Sequence, residues 1–343
     1  MKSNYRYIVK AFMAMAVIAG TTSCDDFLDR EPMSSISPET YYSTAAQLEA
    51  NLNDEYPNVL PSFGQWTYGI FGEDKGTDNQ IEVNANDRYT QDRWKVPHSE
   101  SDNWKFERIY RINFFLSEAL PKFGEDMSGS QNTISGSVAT IKHYIGEMYF
   151  LRAYEYFKKL QLFGDFPIIN QPLADEMEAL REASKRFPRN EVARFIISDL
   201  DKAYAYMSDV DMATTRINKD AAMLVKSRVA LFEATWLQNF KGTAFVPGGE
   251  GWPGASLHNN YQYPSGNLDN EVKYFLEQAV EASKLVADKY KGNLTENTGV
   301  LQQSADDPSN PYFDMFAQED LSDVKEVLLW RQYARGLSTP VSY

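Results

Sequence analysis

The middle of the chain reads GEMYFLRAYEYF over residues 146–157 and FGDFP over residues 163–167. Apolar and aromatic residues recur here at helical spacing, which predicts one long helix over about residues 137–162. The helix should stop at the second run, because Gly164 suits a helix C-cap and Pro167 cannot continue a helix. This pairing of a long helix with a tight turn favours a helical fold.

Arg152 lies inside the apolar run and must find acceptors, since burying an unpaired charge is costly. The candidate partners are Glu147 on the same helix and Asp165 in the turn. Two interpretations of Arg152 are open, a ligand contact or a fixed ion pair that locks the helix to the turn. We favour the ion pair, and we interpret Gly164, Asp165 and Pro167 as scaffold in the same way.

Capping residues and apolar spacing predict further helices on both sides of this core. The predicted helix starts are Thr44 with Gln47 in a capping box, Asp102-Asn103, Asn190, and Asn218. A further helix follows from apolar spacing over residues 272–286, and the run at 324–330 predicts a β-strand. Pro57 and Pro61 should end the first helix.

The predicted fold class is therefore mainly α, with tetratricopeptide-like helical pairs, long loops and a few short strands. Successive pairs lie further apart than the 34 residues of that repeat, so any repeat is degenerate.

Composition excludes several classes of function. The 343 residues include 34 Lys and Arg against 48 Asp and Glu, a net charge of −14, which argues against a nucleic-acid partner. One cysteine allows neither an internal disulfide nor a Cys-based zinc site, and the three histidines are far apart. No local signature nominates the two carboxylates of a glycoside hydrolase. We expect no catalytic residue, metal or cofactor.

The N-terminus is typical of a targeting segment. Residues 1–23 join a basic start to a ten-residue apolar run, too short for a bilayer, and predict a signal peptide. Cys24 follows directly and resembles the acylated cysteine of a bacterial lipobox, although Thr21 stands where leucine is usual. Acylation would anchor the protein to a membrane. The alternative is ordinary secretion, with Cys24 as an incidental thiol.

One glycine pattern matches a nucleotide-binding motif but lacks the structural context of such a site. Residues 249–254 match G-x-G-x-x-G, the dinucleotide-binding fingerprint. That site needs a strand before it and a helix opening within it. Pro247 precedes the pattern, Pro253 lies within it, and no helical spacing follows. We interpret it as a surface loop.

Three stretches resemble the SusD/RagB family of outer-membrane nutrient-binding lipoproteins. They are SCDDFLD at 23–29, the 146–167 core, and the helix from KDAA at 219 to RVALF at 228–232. Residues 104–113 add weaker support. The resemblance implies a SusD-like fold with a signal peptide at 1–23, a tether at 24–43, a helical region at 44–240 and the start of a C-terminal region at 241–343. Family members are usually longer, so we expect a C-terminally truncated sequence.

The resemblance also implies a function. A surface-exposed, lipid-anchored protein of the outer membrane would bind oligosaccharide without cleaving it and deliver it to a SusC-like TonB-dependent transporter. Two alternatives remain open, a tetratricopeptide-like scaffold that binds a protein and a relative that binds peptide instead of glycan.

Loop aromatics and neighbouring polar residues are the candidate ligand contacts, because sugar rings stack on flat aromatic faces and polar groups bind their hydroxyls. The candidates are Trp66, Tyr68, Asp74, Asp78, Asn79, Trp94 and Trp252. The alternative for each is packing that anchors its loop.

Overall fold

The computed structural model describes residues 41–62, 80, 103–124, 126–208, 212–301, 303–304 and 306–332. From Ser43 onward the chain forms one compact unit. Its described part is built of helices, which confirms the mainly α prediction. Two isolated bridges, Thr44 to Ser135 and Phe166 to Phe187, are the only β pairings between described residues outside named strands.

Eight α-helices are described, numbered here in chain order. They are α1 Ala45–Val59, α2 Glu107–Phe123, α3 Val138–Phe163, α4 Met177–Ala183, α5 Arg189–Tyr206, α6 Lys219–Asn239, α7 Leu268–Tyr290 and α8 Pro311–Met315. A 3-10 helix, Pro253–Ser256, lies in the loop between α6 and α7.

The helices pack in series. The central element is α3, which contacts α1 and α2 as well as α5. In turn α5 packs on α6, and α6 packs on α7. Of the 26 residues of α3, 17 are buried, so this helix is surrounded by protein on most of its circumference. Neighbouring helices that each cover the next are the arrangement expected of tetratricopeptide-like pairs.

Several caps are as predicted. Thr44 and Gln47 form the capping box of α1, and the Asn218 side chain accepts the Ala221 N–H at the start of α6. The C-cap of α3 is Gly164, whose φ of 69° is in the left-handed region that favours glycine. These local signals fix helix ends because they satisfy backbone groups that the helix leaves unpaired.

Two predicted helix starts are wrong. α2 begins at Glu107 rather than at Asn103, because Phe106 stacks on Phe166 at 5.2 Å and holds the preceding chain out of the helix. Asp102, the other half of that predicted cap, lies outside the described residues. α5 begins at Arg189, and Asn190 lies within its first turn, where the Asn190 amide is bonded to Glu271 Oε1 at 3.0 Å.

The predicted end of α1 is right at Pro61, which directly follows the C-cap residue Leu60, but wrong at Pro57, since the helix continues to Val59. Tyr56 and Val59 are fully buried, so packing of the last turn outweighs the hydrogen bond that proline cannot donate.

The predicted strand at residues 324–330 is absent, and this described segment consists of turns and irregular chain. Backbone groups of this segment form isolated hydrogen bonds instead of a strand ladder. Trp330 N donates to Thr214 O at 3.2 Å, and Leu328 O accepts from Asn218 Nδ2 at 2.6 Å. The apolar side chains line a groove of about 640 Å³ beside α3 and α6. A short apolar run does not by itself distinguish a strand from a segment that packs on helices.

Gly146 on α3 permits a close approach of α5. A Cβ at this position would lie 2.8 Å from both Met207 N and Met207 Cγ, and 3.0 Å from Ala203 O. We expect Gly146→Ala to lower the free energy of unfolding by about 1–3 kcal/mol, because overpacking outweighs the better helix propensity of alanine. Urea denaturation followed by circular dichroism measures the change.

Gly292→Ala is the matched control. Gly292 has open space around the site of its missing Cβ and no left-handed φ. The same substitution there should be neutral or slightly stabilising. Equal effects of the two substitutions would contradict the close-contact explanation.

Candidate functional site

Most of the predicted ligand contacts lie outside the described residues. These are Trp66, Tyr68, Asp74, Asp78, Asn79 and Trp94, together with the predicted lipidation site Cys24. They stay predictions. Trp252 is described, and it leads to a cleft built by the end of α3, the start of α5 and the loop between α6 and α7.

The cleft has a volume of about 510 Å³, within the range of about 300–1,000 Å³ typical of small-molecule sites. Its larger aromatic and apolar side chains are Leu162, Phe163, Trp236, Phe245, Trp252 and Leu257. Its charged side chains are Asp165, Arg186 and Arg189. A mainly apolar lining with a few polar groups is the usual composition of a ligand site.

Accessible aromatic rings form one wall of the cleft. Phe245 is 60% exposed, and Phe240 links it to Trp236 with ring centroids 5.4 and 4.5 Å apart. The Trp236 indole N–H donates to Phe245 O at 3.0 Å and so holds the loop against α6. The wall thus presents the Phe245 ring to solvent on a fixed support.

Trp252 has a different environment. It is 5% exposed and donates its indole N–H to Asp165 Oδ2 at 2.7 Å. Its ring packs against His258 and Tyr261 at 5.9 and 5.6 Å. Trp252 therefore anchors the loop, and it lines the cleft as a nearly buried side chain.

The same ring accounts for part of the G-x-G-x-x-G pattern. A Cβ on Gly254 would lie 2.2 Å from Trp252 Cζ2, so glycine is required beside the indole. Residues 249–252 form turns, and the 3-10 helix that follows has only four residues. This geometry differs from the strand, turn and helix of a dinucleotide site.

Asp165 ties three parts of the cleft together. Its Oδ1 accepts the Arg189 N–H at 2.8 Å, which satisfies a free backbone donor at the start of α5, and its Oδ2 holds Trp252. Burial raises the pKa of Asp165, while the hydrogen bonds from Trp252 and Arg189 oppose that shift. These contacts hold the turn to α5 and to the loop after α6, and Pro167 beside it is buried. The scaffold role of this turn stays a prediction.

Arg189 lines the cleft and is held in place by Glu233 and Trp236. Its guanidinium forms a bidentate ion pair with Glu233, in which Nη2 donates to Oε2 at 2.9 Å. The same guanidinium lies 4.1 Å from the centroid of the Trp236 ring. Burial raises the pKa of Glu233, and Arg189 opposes the shift. The pair therefore stiffens the support of Trp236.

Arg186 lies at the rim and is exposed. Its guanidinium is 4.6 Å from the centroid of the Trp104 ring, and its carbonyl oxygen bonds to His258 Nε2 at 2.8 Å. The cleft thus combines an accessible ring with a cation at its edge.

The predicted partners of Arg152 are wrong, although the buried ion pair is present. Arg152 bonds to Asp199 on α5, with Nε to Oδ2 at 2.7 Å and Nη2 to Oδ1 at 2.8 Å. Glu147 instead accepts Arg216 Nη2 at 2.7 Å. Five residues on a helix separate side chains by about 140°, so Glu147 and Arg152 point to different neighbours.

Sequence reasoning missed the accessible part of this cleft. Trp236, Phe245 and Arg186 were not among the predicted site residues. A usable signal is present, since Trp236, Phe240 and Phe245 run from the last turn of α6 into a Gly-rich loop. Among the described residues, no cluster of three or more His, Cys, Asp or Glu could hold a metal ion.

A family model and two curated proteins match this chain. A family model named SusD-like, described as starch-binding and associating with the outer membrane, matches residues 26–231. SusD-like protein P25 of Formosa agariphila is 25% identical over 233 residues, which cover 62% of this chain and 41% of that protein. SusD-like protein P2 of the same organism is 25% identical over 253 residues, covering 70% and 46%. The chain thus spans less than half the length of these curated relatives.

Two solved structures are also similar. A SusD-like carbohydrate-binding protein from Bacteroides vulgatus has 14% identity and a TM-score of 0.41, with 75% of this chain and 47% of that chain covered. Another from Bacteroides fragilis has 16% identity and a TM-score of 0.43, with 75% and 42% covered.

Proposed function

We propose that this chain, which belongs to the SusD-like family of carbohydrate-binding, outer-membrane-associated proteins, captures oligosaccharide at the cell surface without cleaving it. The observation that carries the proposal is the aromatic wall of the cleft. Phe245 offers an exposed face, and the Trp236 and Asp165 contacts fix the chain around it. Apolar sugar faces stack on such rings, and a wall fixed before binding loses little conformational entropy when ligand arrives.

The rest of the proposal concerns location and delivery. Cys24 would carry the acyl chains that hold the protein on the outer membrane, with the mature chain exposed at the surface. Among the described residues, no helix combines the length and apolarity needed to cross a membrane. A SusC-like TonB-dependent transporter would receive the bound oligosaccharide.

A protein-interaction scaffold is the second candidate. Its support is the exposure of Leu231 on α6 and Val280 on α7, two apolar side chains on helices at one end of the series. Helical repeats use such surfaces to bind proteins or peptides. This candidate requires no contribution from the cleft, so the two functions make different predictions for Phe245.

Phe245→Ala should weaken oligosaccharide binding about tenfold, because one stacked aromatic contact is worth about 0.5–1.5 kcal/mol beyond its buried area. The measurement is tryptophan fluorescence of the full chain in detergent, titrated with a panel of neutral and acidic oligosaccharides. Reducing sugar is assayed in the same tubes. We expect saturable quenching without sugar release.

Phe316→Ala is the matched control, since Phe316 is an exposed phenylalanine that does not line the cleft. Its affinity should equal that of the unmodified protein. Sugar release would overturn the non-catalytic proposal, and equal losses in both variants would remove the cleft from it. Absence of binding across the panel would favour the scaffold.

A further inference from the structure

A second, more polar cavity of about 370 Å³ lies between the start of α2 and the second half of α3. Its charged lining residues are the cations Lys105, Arg108, Lys158 and Lys159 and the carboxylates Glu107 and Glu155. Positive groups outnumber negative ones here, although the whole chain has a net charge of −14. A local reversal of charge sign inside a cavity is a feature of anion-binding sites.

Glu155 is the buried centre of this cavity. It is 3% exposed, and its Oε2 has no hydrogen-bond partner among the described residues. Lys158 Nζ and Arg108 Nη1 remain 3.5 and 3.7 Å from that oxygen, and Lys159 Nζ is 3.4 Å from Oε1. A buried acceptor without a donor is unfavourable, and a ligand hydroxyl would satisfy it.

Glu155 carries one negative charge against the three cations that lie within 3.7 Å of it, Arg108, Lys158 and Lys159. Lys159 Nζ also bonds to Asn103 O at 2.8 Å, and Lys158 Nζ bonds to Val59 O, so both ammonium groups are held in place. Burial lowers the pKa of Lys158, and the charge of Glu155 opposes that shift. Arg108 has a 47% exposed side chain and can turn toward an incoming anion.

The cavity adjoins the aromatic cleft, because Leu162 lines both. The Trp104 ring lies at the same boundary, 4.9 Å from the Phe163 ring of the cleft and beneath the Arg186 guanidinium. The cationic cavity and the aromatic cleft are therefore neighbours at the C-terminal end of α3.

We infer that the 370 Å³ cavity binds the anionic substituent of a glycan, so that the protein selects oligosaccharides bearing carboxylate or sulfate groups. This inference rests on the proposed oligosaccharide-binding function. The sugar would donate a hydroxyl to Glu155 Oε2 and place its anionic group beside Arg108. Screening at physiological salt, with a Debye length of about 8 Å, makes these local cations outweigh the distant negative charge of the chain.

Isothermal titration calorimetry on the full chain in detergent tests the inference. The matched probes are oligogalacturonate and its methyl ester, which share a backbone and differ in charge. A sulfated carrageenan oligosaccharide and its desulfated form distinguish sulfate from carboxylate. We expect at least one acidic probe to bind about tenfold more tightly than its neutral counterpart, and the preference to shrink as sodium chloride rises.

Arg108→Gln should abolish most of that preference, so that the acidic probe and its neutral counterpart bind with similar affinity. Arg181→Gln is the matched control, because Arg181 is an exposed arginine on α4 outside the cavity. Equal binding of acidic and neutral probes, or a preference that survives Arg108→Gln, would overturn the inference and leave the proposed function standing. If no probe binds and no oligosaccharide in the panel quenches the tryptophan fluorescence, both the inference and the proposed function are overturned.

Discussion

Replacing Arg152 with methionine should lower the free energy of unfolding by about 3–5 kcal/mol, because it leaves the carboxylate of Asp199 buried without its main partner. Arg152 is 3% exposed, and Asp199 is fully buried. The guanidinium also bonds to Asn113 Oδ1 at 2.9 Å and to Asn170 O at 3.2 Å. One side chain thus connects α2, α3, α5 and the chain after the FGDFP turn.

Lys202→Met is the matched control for this experiment. Lys202 Nζ lies 3.7 Å from Asp199 Oδ1 and has a 43% exposed side chain, so solvent screens most of its interaction. We expect a loss of about 1 kcal/mol or less in urea denaturation. The double variant Arg152→Met, Asp199→Leu should recover about 1–3 kcal/mol relative to the sum of the single losses. Additive losses would show that the two groups do not stabilise the protein as a pair.

For Arg152, the sequence predicts that an ion pair forms but not which residue is the partner. A charge within a run of aromatic residues implies burial, and burial implies an acceptor, so the ion pair could be predicted. The identity of the acceptor depends on which helix packs against that side of α3. Asp199 lies 47 residues further along, and no local pattern links it to Arg152.

Some helix ends can likewise be predicted from the local sequence, whereas others depend on distant residues. The Thr44 and Asn218 caps could be predicted because a cap is completed within three residues of sequence. The start of α5 could not, because the carboxylate that satisfies its first N–H comes from Asp165 in a different segment. In the cleft, Trp252 was identified from its loop position, whereas the accessible face of Phe245 depends on how that loop folds onto α6.

Glu147→Gln is expected to lower the free energy of unfolding by about 3 kcal/mol, although the side chain keeps its shape. Glu147 is fully buried, and its two oxygens accept three hydrogen bonds from Tyr56 and Arg216. Tyr56 OH and Arg216 Nη2 bond to Oε2 at 2.6 and 2.7 Å, and Arg216 Nε and His143 Nε2 lie 3.1 Å from Oε1. Burial and the charge of Glu147 both raise the pKa of Tyr56, so its hydroxyl stays protonated and donates.

The glutamine amide offers one oxygen and one NH2 group, so in either orientation at least one of these donors faces another donor. Arg216 would also lose its buried counter-charge, which is the larger part of the expected loss. Glu49→Gln is the matched control, since Glu49 lies 3.5 Å from Arg216 Nη1 but has a 43% exposed side chain. Its substitution should cost about 1 kcal/mol or less in the same urea denaturation. If Glu147→Gln cost no more than Glu49→Gln, Arg216 would depend on total charge nearby rather than on the buried contact that joins α1, α3 and the start of α6.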